Sequence, residues 1–289
     1  MRILLLDGDV FAFVAAAAAQ RDLSYPDGHV VRWSDEGEAI GILNDLVEKV
    51  MAKLETREYL FFLTDPEVNW RTQVYADYKG NRVGGDRPQL LTYLKNYCLT
   101  KHSAILWPGM EADDLMGMWA TDTTGKLLDP IFKEPVIVSK DKDMRSVPGM
   151  FYDLGKIDKP DYEVEPISVE AADHWHMIQT LAGDKVDNYP GCPGIGVDRA
   201  EDILSAKRAL RPEHGFITRG KNKGQRTTKW VGYPSDDTWR IVVTHYEKAG
   251  KTEEDALQMA RVARICRFED YDFKNNMVIL WGPYDDNGR

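Results

Sequence analysis

Nine carboxylates fall in short clusters over the first two-thirds of the chain: Asp7 in LLLDGD, Asp65 in FFLTD, Glu111, Asp113 and Asp114 in EADD, Asp141 and Asp143 in SKDKD, and Asp184 and Asp187 in GDKVDN. Carboxylate oxygens are hard ligands, suited to hard divalent cations such as Mg²⁺ and Mn²⁺. If folding gathers these groups, each charge opposes the ionisation of its neighbours unless a cation intervenes. The chemistry that such a cluster supports is two-metal phosphoryl transfer. Each cluster alone has a plainer reading. Glu111 and Asp114 lie three apart on one helix face, where acids at a helix start gain from the dipole. DGD and DKD are ordinary turn sequences. The inference rests on all five clusters occurring at strand ends or helix edges.

The elements that would position them alternate. Short apolar runs at Arg2–Leu6, Tyr59–Leu63, Ala104–Trp107 and Pro135–Val138 read as strands. Helical patterns occupy Val10–Ala19, Ala39–Leu54, Gln89–Cys98 and Leu115–Ala120. The expected fold is α/β, a mainly parallel central sheet with helices on both faces. Such sheets bind ligands beyond the carboxyl ends of their strands, and Asp7, Asp65, Glu111 and Asp141 each follow an apolar run closely. After about residue 165 the texture changes. Ser168–Ala182 is a helix with Ser168 as N-cap. Gly183–Gly196 is a Gly- and Pro-rich turn, Val197–Leu210 a helix, Arg219–Lys229 a basic loop, Asp236–Ala249 and Glu253–Phe268 helices, and Met277–Trp281 a short apolar run.

Other groups could meet an anion. Tyr78, Lys79 and Arg82 in YKGNR follow Asp65 and place cations beside an aromatic, as in a phosphate clamp with a stacking platform; a solvated loop with snorkelling side chains reads the same way. GCPGIG, residues 191–196, lets backbone amides approach a phosphate at the opening of a helix, or makes a plain helix–helix turn. RGKNKGQRTTK carries Arg219, Lys221, Lys223, Arg226 and Lys229 without an acid, which suits phosphate contact or a disordered loop. His174 and His176 lie two apart, off any common helix face, and are read as structural. Trp and Met at helical spacing are read as core.

The net charge of −10 taken alone argues against a nucleic-acid partner. Setting the nine clustered carboxylates aside leaves the remaining surface near neutral, with room for basic stripes. Three unpaired, widely spaced cysteines imply a reducing compartment. The opening MRILLLDGDVFAFVAAAAAQ imitates a signal peptide, but Asp7 and Asp9 interrupt its apolar region. No apolar stretch reaches membrane-spanning length. A cytosolic protein with no membrane partner is expected.

Taken in order, DGD, FLTD, WR…YKGNR, EADD, SKDKD and GDKVDNYPGCPGIG resemble the 5′-nuclease (flap endonuclease) superfamily over roughly residues 1–210. RGKNKGQ and ARICRF look like the 5′–3′ exonucleases of small tailed phages. The resemblance implies a PIN/5′-nuclease-like core over 1–165 with a helical arch at about 70–100. It implies a helical DNA-binding region over 166–289, containing a helix–two-turn–helix at about 168–210 and packed on the core as one unit. It assigns Asp7, Asp65, Glu111, Asp113 and Asp114 to one metal, and Asp141, Asp143, Asp184 and Asp187 to a second. Lys79 and Arg82 would contact the scissile phosphate, and Tyr78 would stack on a nucleobase. Gly191, Gly194, Ile195 and Gly196 would grip duplex backbone and hold K⁺, with Lys221, Lys223 and Arg226 as further DNA contacts. The implied activity is Mg²⁺-dependent 5′–3′ exonuclease and structure-specific flap cleavage by a monomer, with Mn²⁺ as a substitute. The substrates would be duplex DNA with 5′ ends, nicks or flaps, and RNA–DNA hybrids; products would carry a 5′-phosphate. Two departures stand out. FAFVAAAAA lacks the Arg common after the first DG motif, so either Arg21 or Arg71 substitutes or the phosphate grip there is weaker. The 46 positions from Asp65 to Glu111 are also few for a closed arch. The alternatives are a PIN-type ribonuclease, against which the region after residue 182 argues, and a non-catalytic nucleic-acid-binding relative. No sliding-clamp peptide is visible in WGPYDDNGR.

Overall fold

The computed structural model describes residues 1–82 and 87–283, so the final residues of WGPYDDNGR and part of the expected arch lie outside it. Along the chain run β1 (Arg2–Asp7), α1 (Gly8–Ala19), β2 (Gln20–Ser24), β3 (Val30–Ser34), α2 (Glu36–Lys53) and β4 (Tyr59–Phe62). Then come α3 (Arg71–Val74), α4 (Leu91–Lys101), β5 (Ala104–Ile105), α5 (Ala112–Thr121), β6 (Glu134–Ser139), β7 (Gly149–Asp153) and β8 (Glu165–Ile167). The rest comprises α6 (Val169–Ala182), α7 (Val197–Ser205), β9 (Arg208–Phe216), β10 (Arg226–Pro234), α8 (Thr238–Lys248), α9 (Glu253–Ala263), β11 (Tyr271–Asp272) and β12 (Met277–Val278).

Two compact units result, each assembled from interleaved segments. Unit 1 is Met1–Trp70, Val83–Ala172 and Ile265–Ile279; unit 2 is Arg71–Arg82, Asp173–Arg264 and Leu280–Arg289. The single boundary expected near residue 165 is therefore replaced by crossings at 70, 82, 172, 264 and 279. The expected arch segment is divided too, with Arg71–Arg82 in unit 2 and its described residues from Arg87 onward in unit 1.

Unit 1 is built on one sheet in the order β5–β4–β1–β6–β7–β8, parallel throughout except for β8. Strand residues alternate between its faces. Leu4, Leu6, Phe61, Val136 and Val138 share a core with Phe11, Ala12, Ala15 and Ala16 of α1, Leu43 and Val47 of α2, and Leu94 of α4. The alternate residue Phe62 meets Trp119 of α5 edge-on. The small side chains of the alanine-rich α1 let it pack one buried face, from Gly8 to Ala19, against its neighbours.

α5 approaches the segment after α9 even more closely. A Cβ added at Gly117 would lie 2.3 Å from the Cys266 carbonyl oxygen and 3.1 Å from Ile265. Gly117→Ala should therefore cost about 1–3 kcal/mol through overpacking, seen as a lower thermal midpoint. An unchanged midpoint would mean that this contact relaxes freely.

Unit 2 packs α6, α7, α8 and α9 around Leu181, Tyr189, Leu204, Trp239, Val242, Tyr246 and Ala260. Its long antiparallel hairpin β9–β10 is a departure from expectation. The helix expected over Val197–Leu210 stops at Ser205, and of the basic loop expected over Arg219–Lys229 the first part is the tip of this hairpin while Arg226–Lys229 belong to β10. A second hairpin, β2–β3, follows α1 in unit 1. Among the described residues no helix is long and apolar enough to cross a membrane.

Candidate metal and nucleic-acid site

β1 passes into α1 without a loop, and Asp7 is both the last strand residue and the N-cap of the helix. One of its carboxylate oxygens accepts from Val10 N–H at 3.1 Å, and the other from Ser139 Oγ at 2.6 Å. Ser139 ends the adjacent parallel strand β6, and its Oγ also accepts from the Asp141 amide at 3.0 Å. One hydroxyl thus ties the first and fourth acidic clusters together at the carboxyl edge of the sheet. Burial, then the charge of Asp9, then that of Asp141 push the Asp7 carboxyl up to about 7, against the smaller opposing effect of its hydrogen bonds.

Asp65 follows β4 on the other side of β1. Its oxygens accept from the backbone N–H groups of Glu67 at 2.9 Å and Gly109 at 2.7 Å. Burial alone would raise this carboxyl, but these bonds and one from Val68 hold it below the usual range. The same loop pair brings Thr64 Oγ1 to the Ala112 amide, fixing the start of α5 and with it Glu111 and Asp113. Asp141 Oδ1 in turn accepts from the Asp143 amide at 2.8 Å.

Asp114, expected as a ligand, is held by protein donors. It is 0 % exposed, and its oxygens accept from Trp70 Nε1 at 2.9 Å and the Cys266 amide at 3.0 Å. A carboxylate sealed from solvent that accepts from these two protein donors anchors α5.

Unit 2 carries the other expected residues. Asp184 Oδ1 accepts from the amides of Val186 and Asp187, a local turn. Asp187 is surrounded by Arg82 at 2.5 Å, Tyr78 Oη at 2.9 Å and Lys79 Nζ at 3.6 Å. Lys79 adopts φ +54° and donates its amide to the Asp187 carbonyl at 2.8 Å. The YKGNR segment is thus folded onto GDKVDN by backbone and side chain together, and the two cations already share an anion.

Tyr78, Arg71 and Gly191 are placed differently from expectation. Tyr78 does not offer a stacking platform: it is 6 % exposed, with the Lys79 ammonium 5.0 Å and the Arg71 guanidinium 5.7 Å from its ring centre. Arg71 does not face DNA. It is 2 % exposed and donates to the carbonyls of Val262 and Arg264, satisfying the open C-terminal end of α9. Gly191 is buried against the turn at Gly183, and a Cβ on it would lie 2.3 Å from the Gly183 nitrogen. Its positive φ of 62° and that of Gly183, 67°, allow this backbone crossing.

Gly194, Ile195 and Gly196 do line an open cleft of about 650 Å³ in unit 2, together with Tyr75, Asp184 and Asn188. Gly196 is the N-cap of α7 and provides no side chain to satisfy its amides. Lys221 and Lys223 are exposed at the tip of β9–β10, and Arg226 is exposed at the start of β10. The histidines are structural: His174 pairs with Glu201 at 3.0 Å, and His176 Nε2 meets the Ala260 carbonyl at 2.8 Å. Arg21, the other candidate for the missing helix arginine, pairs with Glu38 at 2.5 Å.

Sequence reading missed Ser139 and Asp9. Both stand inside the quoted motifs, as the first residue of SKDKD and the second acid of DGD. Among the described residues no group of three or more His, Cys, Asp or Glu side chains is arranged to hold a metal ion. The donor set still fits one. It is oxygen-only, and Asp7 bears an electrostatic penalty that a hard cation would offset.

Three comparisons bear on this arrangement. Residues 2–150 match the family model described as the 5′-3′ exonuclease N-terminal resolvase-like domain. The chain is similar to the exonuclease of Escherichia phage T7, 33 % identical over 97 % of this chain and 93 % of the relative. Its fold is similar to that of a phage T5 protein co-crystallised with metal ions, with TM-score 0.57 and 14 % identity over 91 % of this chain and 89 % of that one. The phage T5 flap endonuclease in a complex with DNA and metal ions gives TM-score 0.55 and 13 % identity over the same shares.

Proposed function

Since this chain belongs to the 5′–3′ exonuclease family, we propose that it hydrolyses phosphodiesters near the 5′ ends of duplex DNA by a two-metal mechanism, at the carboxyl edge of the unit 1 sheet. The observation that carries this reading is the Asp7–Ser139–Asp141 linkage on two adjacent parallel strands, where burial and neighbouring charge oppose ionisation of Asp7. Asp7, Asp65, Glu111, Asp113, Asp141 and Asp143 would hold Mg²⁺, with Mn²⁺ as a substitute. Such a cation, when bound, supplies Lewis-acid activation of water and of the phosphoryl group. Ser139 holds Asp7 and Asp141 in register, and the Glu67 and Gly109 amides keep Asp65 ionised.

In unit 2, Lys79 and Arg82 would bind backbone phosphate by exchanging Asp187 for a phosphate oxygen. Gly194, Ile195 and Gly196 would present amides to the duplex, with K⁺ as a companion ion, and Lys221, Lys223 and Arg226 would add sequence-independent attraction. We further assign RNA–DNA hybrids as substrates, a monomeric state, and action in the cytoplasm of a host cell. Metal-dependent release of short products bearing a 5′-phosphate from 5′-labelled duplex tests the reading, with EDTA as the control. Release without metal, or from the 3′ end, would overturn it.

A pH prediction follows from Asp7. Its carboxyl lies near 3.8 in an unfolded chain and about 7 in the folded one, so the folded state holds the proton more tightly. The group therefore favours folding in acid, and that contribution is lost as pH rises from about 4 through 7. The thermal midpoint of metal-free wild type, relative to Asp7→Asn, should fall across this window, and millimolar Mg²⁺ should restore it above pH 7. Parallel wild-type and variant profiles would contradict the penalty.

A further inference from the structure

The exchange argued for Asp187 has a counterpart in unit 1. Lys95 of α4 places its ammonium 2.8 Å from Asp9 Oδ1, with the two side chains 29 % and 28 % exposed. Asp9 is the second acid of DGD, in the first turn of α1. Its charge is the largest neighbouring-charge influence on Asp7, so the partner of Lys95 belongs electrically to the acidic cluster. Other ion pairs of unit 1 join acids outside that cluster, such as Arg2 with Glu134, Arg57 with Glu48 and Arg145 with Glu165.

A purely structural purpose is a weak explanation of the pair. A partly exposed ion pair contributes at most about 1 kcal/mol, and α4 is already fixed by the buried Leu94 and Cys98. An ammonium on a flexible four-carbon stem is well suited to trade one oxyanion for another. A phosphodiester entering an acidic edge also needs a nearby cation to offset its own charge.

We propose that Lys95 is a DNA phosphate-binding residue of unit 1, occupied by Asp9 in the absence of substrate and transferred to a backbone phosphate when DNA binds. This inference rests on the reading of unit 1 as the nuclease centre. It makes Asp9 a positioning residue that competes with substrate, so the two halves of the pair should have opposite effects. Removing Lys95 should weaken DNA binding, and neutralising Asp9 should strengthen it.

The test measures binding of a fluorescein-labelled duplex with a 5′ overhang, in Ca²⁺ to limit cleavage, over a salt series, with turnover in Mg²⁺ and thermal midpoints in parallel. Lys95→Gln should raise Kd about tenfold, as for loss of one charged hydrogen bond, and reduce the slope of log K against log salt by about 1. Lys95→Arg should recover most of the affinity. Asp9→Asn should lower Kd, and all three midpoints should stay near wild type. Unchanged Kd and salt slope in Lys95→Gln, with a lowered midpoint in both Lys95→Gln and Asp9→Asn, would show a helix staple and overturn the proposal. Wild type that binds duplex but releases no nucleotide in Mg²⁺ would refute the nuclease reading instead, and the binding series would still decide on Lys95.

Discussion

Asp7→Asn is expected to abolish metal-dependent hydrolysis, by at least about three orders of magnitude in turnover, while the folded protein becomes as stable as wild type or more so above pH 7. The two effects separate because Asp7 has two functions. As an N-cap it accepts from Val10, and asparagine caps equally well. Its other oxygen accepts from Ser139; in asparagine the amide nitrogen takes that position and donates to the Ser139 hydroxyl instead, so a bond is kept with its direction reversed. What asparagine cannot supply is the negative charge, which is costly in this buried edge without a cation and necessary to bind one. A thermal melt and a single-turnover assay on the same preparation check both halves. Lost activity accompanied by a collapsed melting transition would make Asp7 structural, and retained activity would remove it from the centre.

Asp114→Ala should behave in the opposite way, with its primary effect on the fold. The substitution strands the indole N–H of Trp70 and the amide of Cys266, both buried, and leaves a small void at the base of α5. Loss of two bonds to a charged acceptor in a sealed environment should cost about 3–5 kcal/mol. For a protein of this size that corresponds to a midpoint lower by roughly 5–15 °C. Chemical denaturation gives the free energy directly. A stability within about 0.5 kcal/mol of wild type would mean that the two donors find other acceptors. Activity lost at full stability would return Asp114 to the ligand set.

How much of this was legible in the sequence depends on whether the determinant is local. The strands carrying Asp7, Asp65 and Asp141 were readable because each is a short apolar run ending in an acid, and a parallel sheet aligns such ends at one edge. Ser168 as a cap was readable for the same reason, its hydroxyl accepting from Ala171. The hairpins were not. In RALRPEHGF the basic and turn residues dominate, and in RTTKWVGYP the strand formers are interrupted by Arg226, Lys229, Gly232 and Pro234, so pairing of the two segments stabilises what neither specifies alone.

Side-chain direction was the other hidden quantity. EADD presents three acids, but only tertiary packing reveals that the third meets Trp70 and Cys266, residues 44 positions before it and 152 after it. Arg71 and Tyr78 looked like nucleic-acid contacts because of their types, yet both are used to hold unit 2 together. Arg71 reaches carbonyls more than 190 residues away, at the end of α9. The Lys95–Asp9 pair had no sequence signal, since a lysine on a helix is ordinarily a solvated surface residue. The acids of DGD and SKDKD, in contrast, were readable as chemistry before their connection through Ser139 was visible.

The claim that the carboxyl edge of unit 1 holds the catalytic cation is tested most directly by titrating Mn²⁺ into wild type and Asp7→Asn at pH 8 without DNA, following free Mn²⁺ by electron paramagnetic resonance. Wild type should deplete the free-ion signal, and the variant should bind at least one ion fewer or at least about tenfold more weakly, in line with loss of a charged ligand. Equal depletion by the two proteins would contradict a metal site built on Asp7.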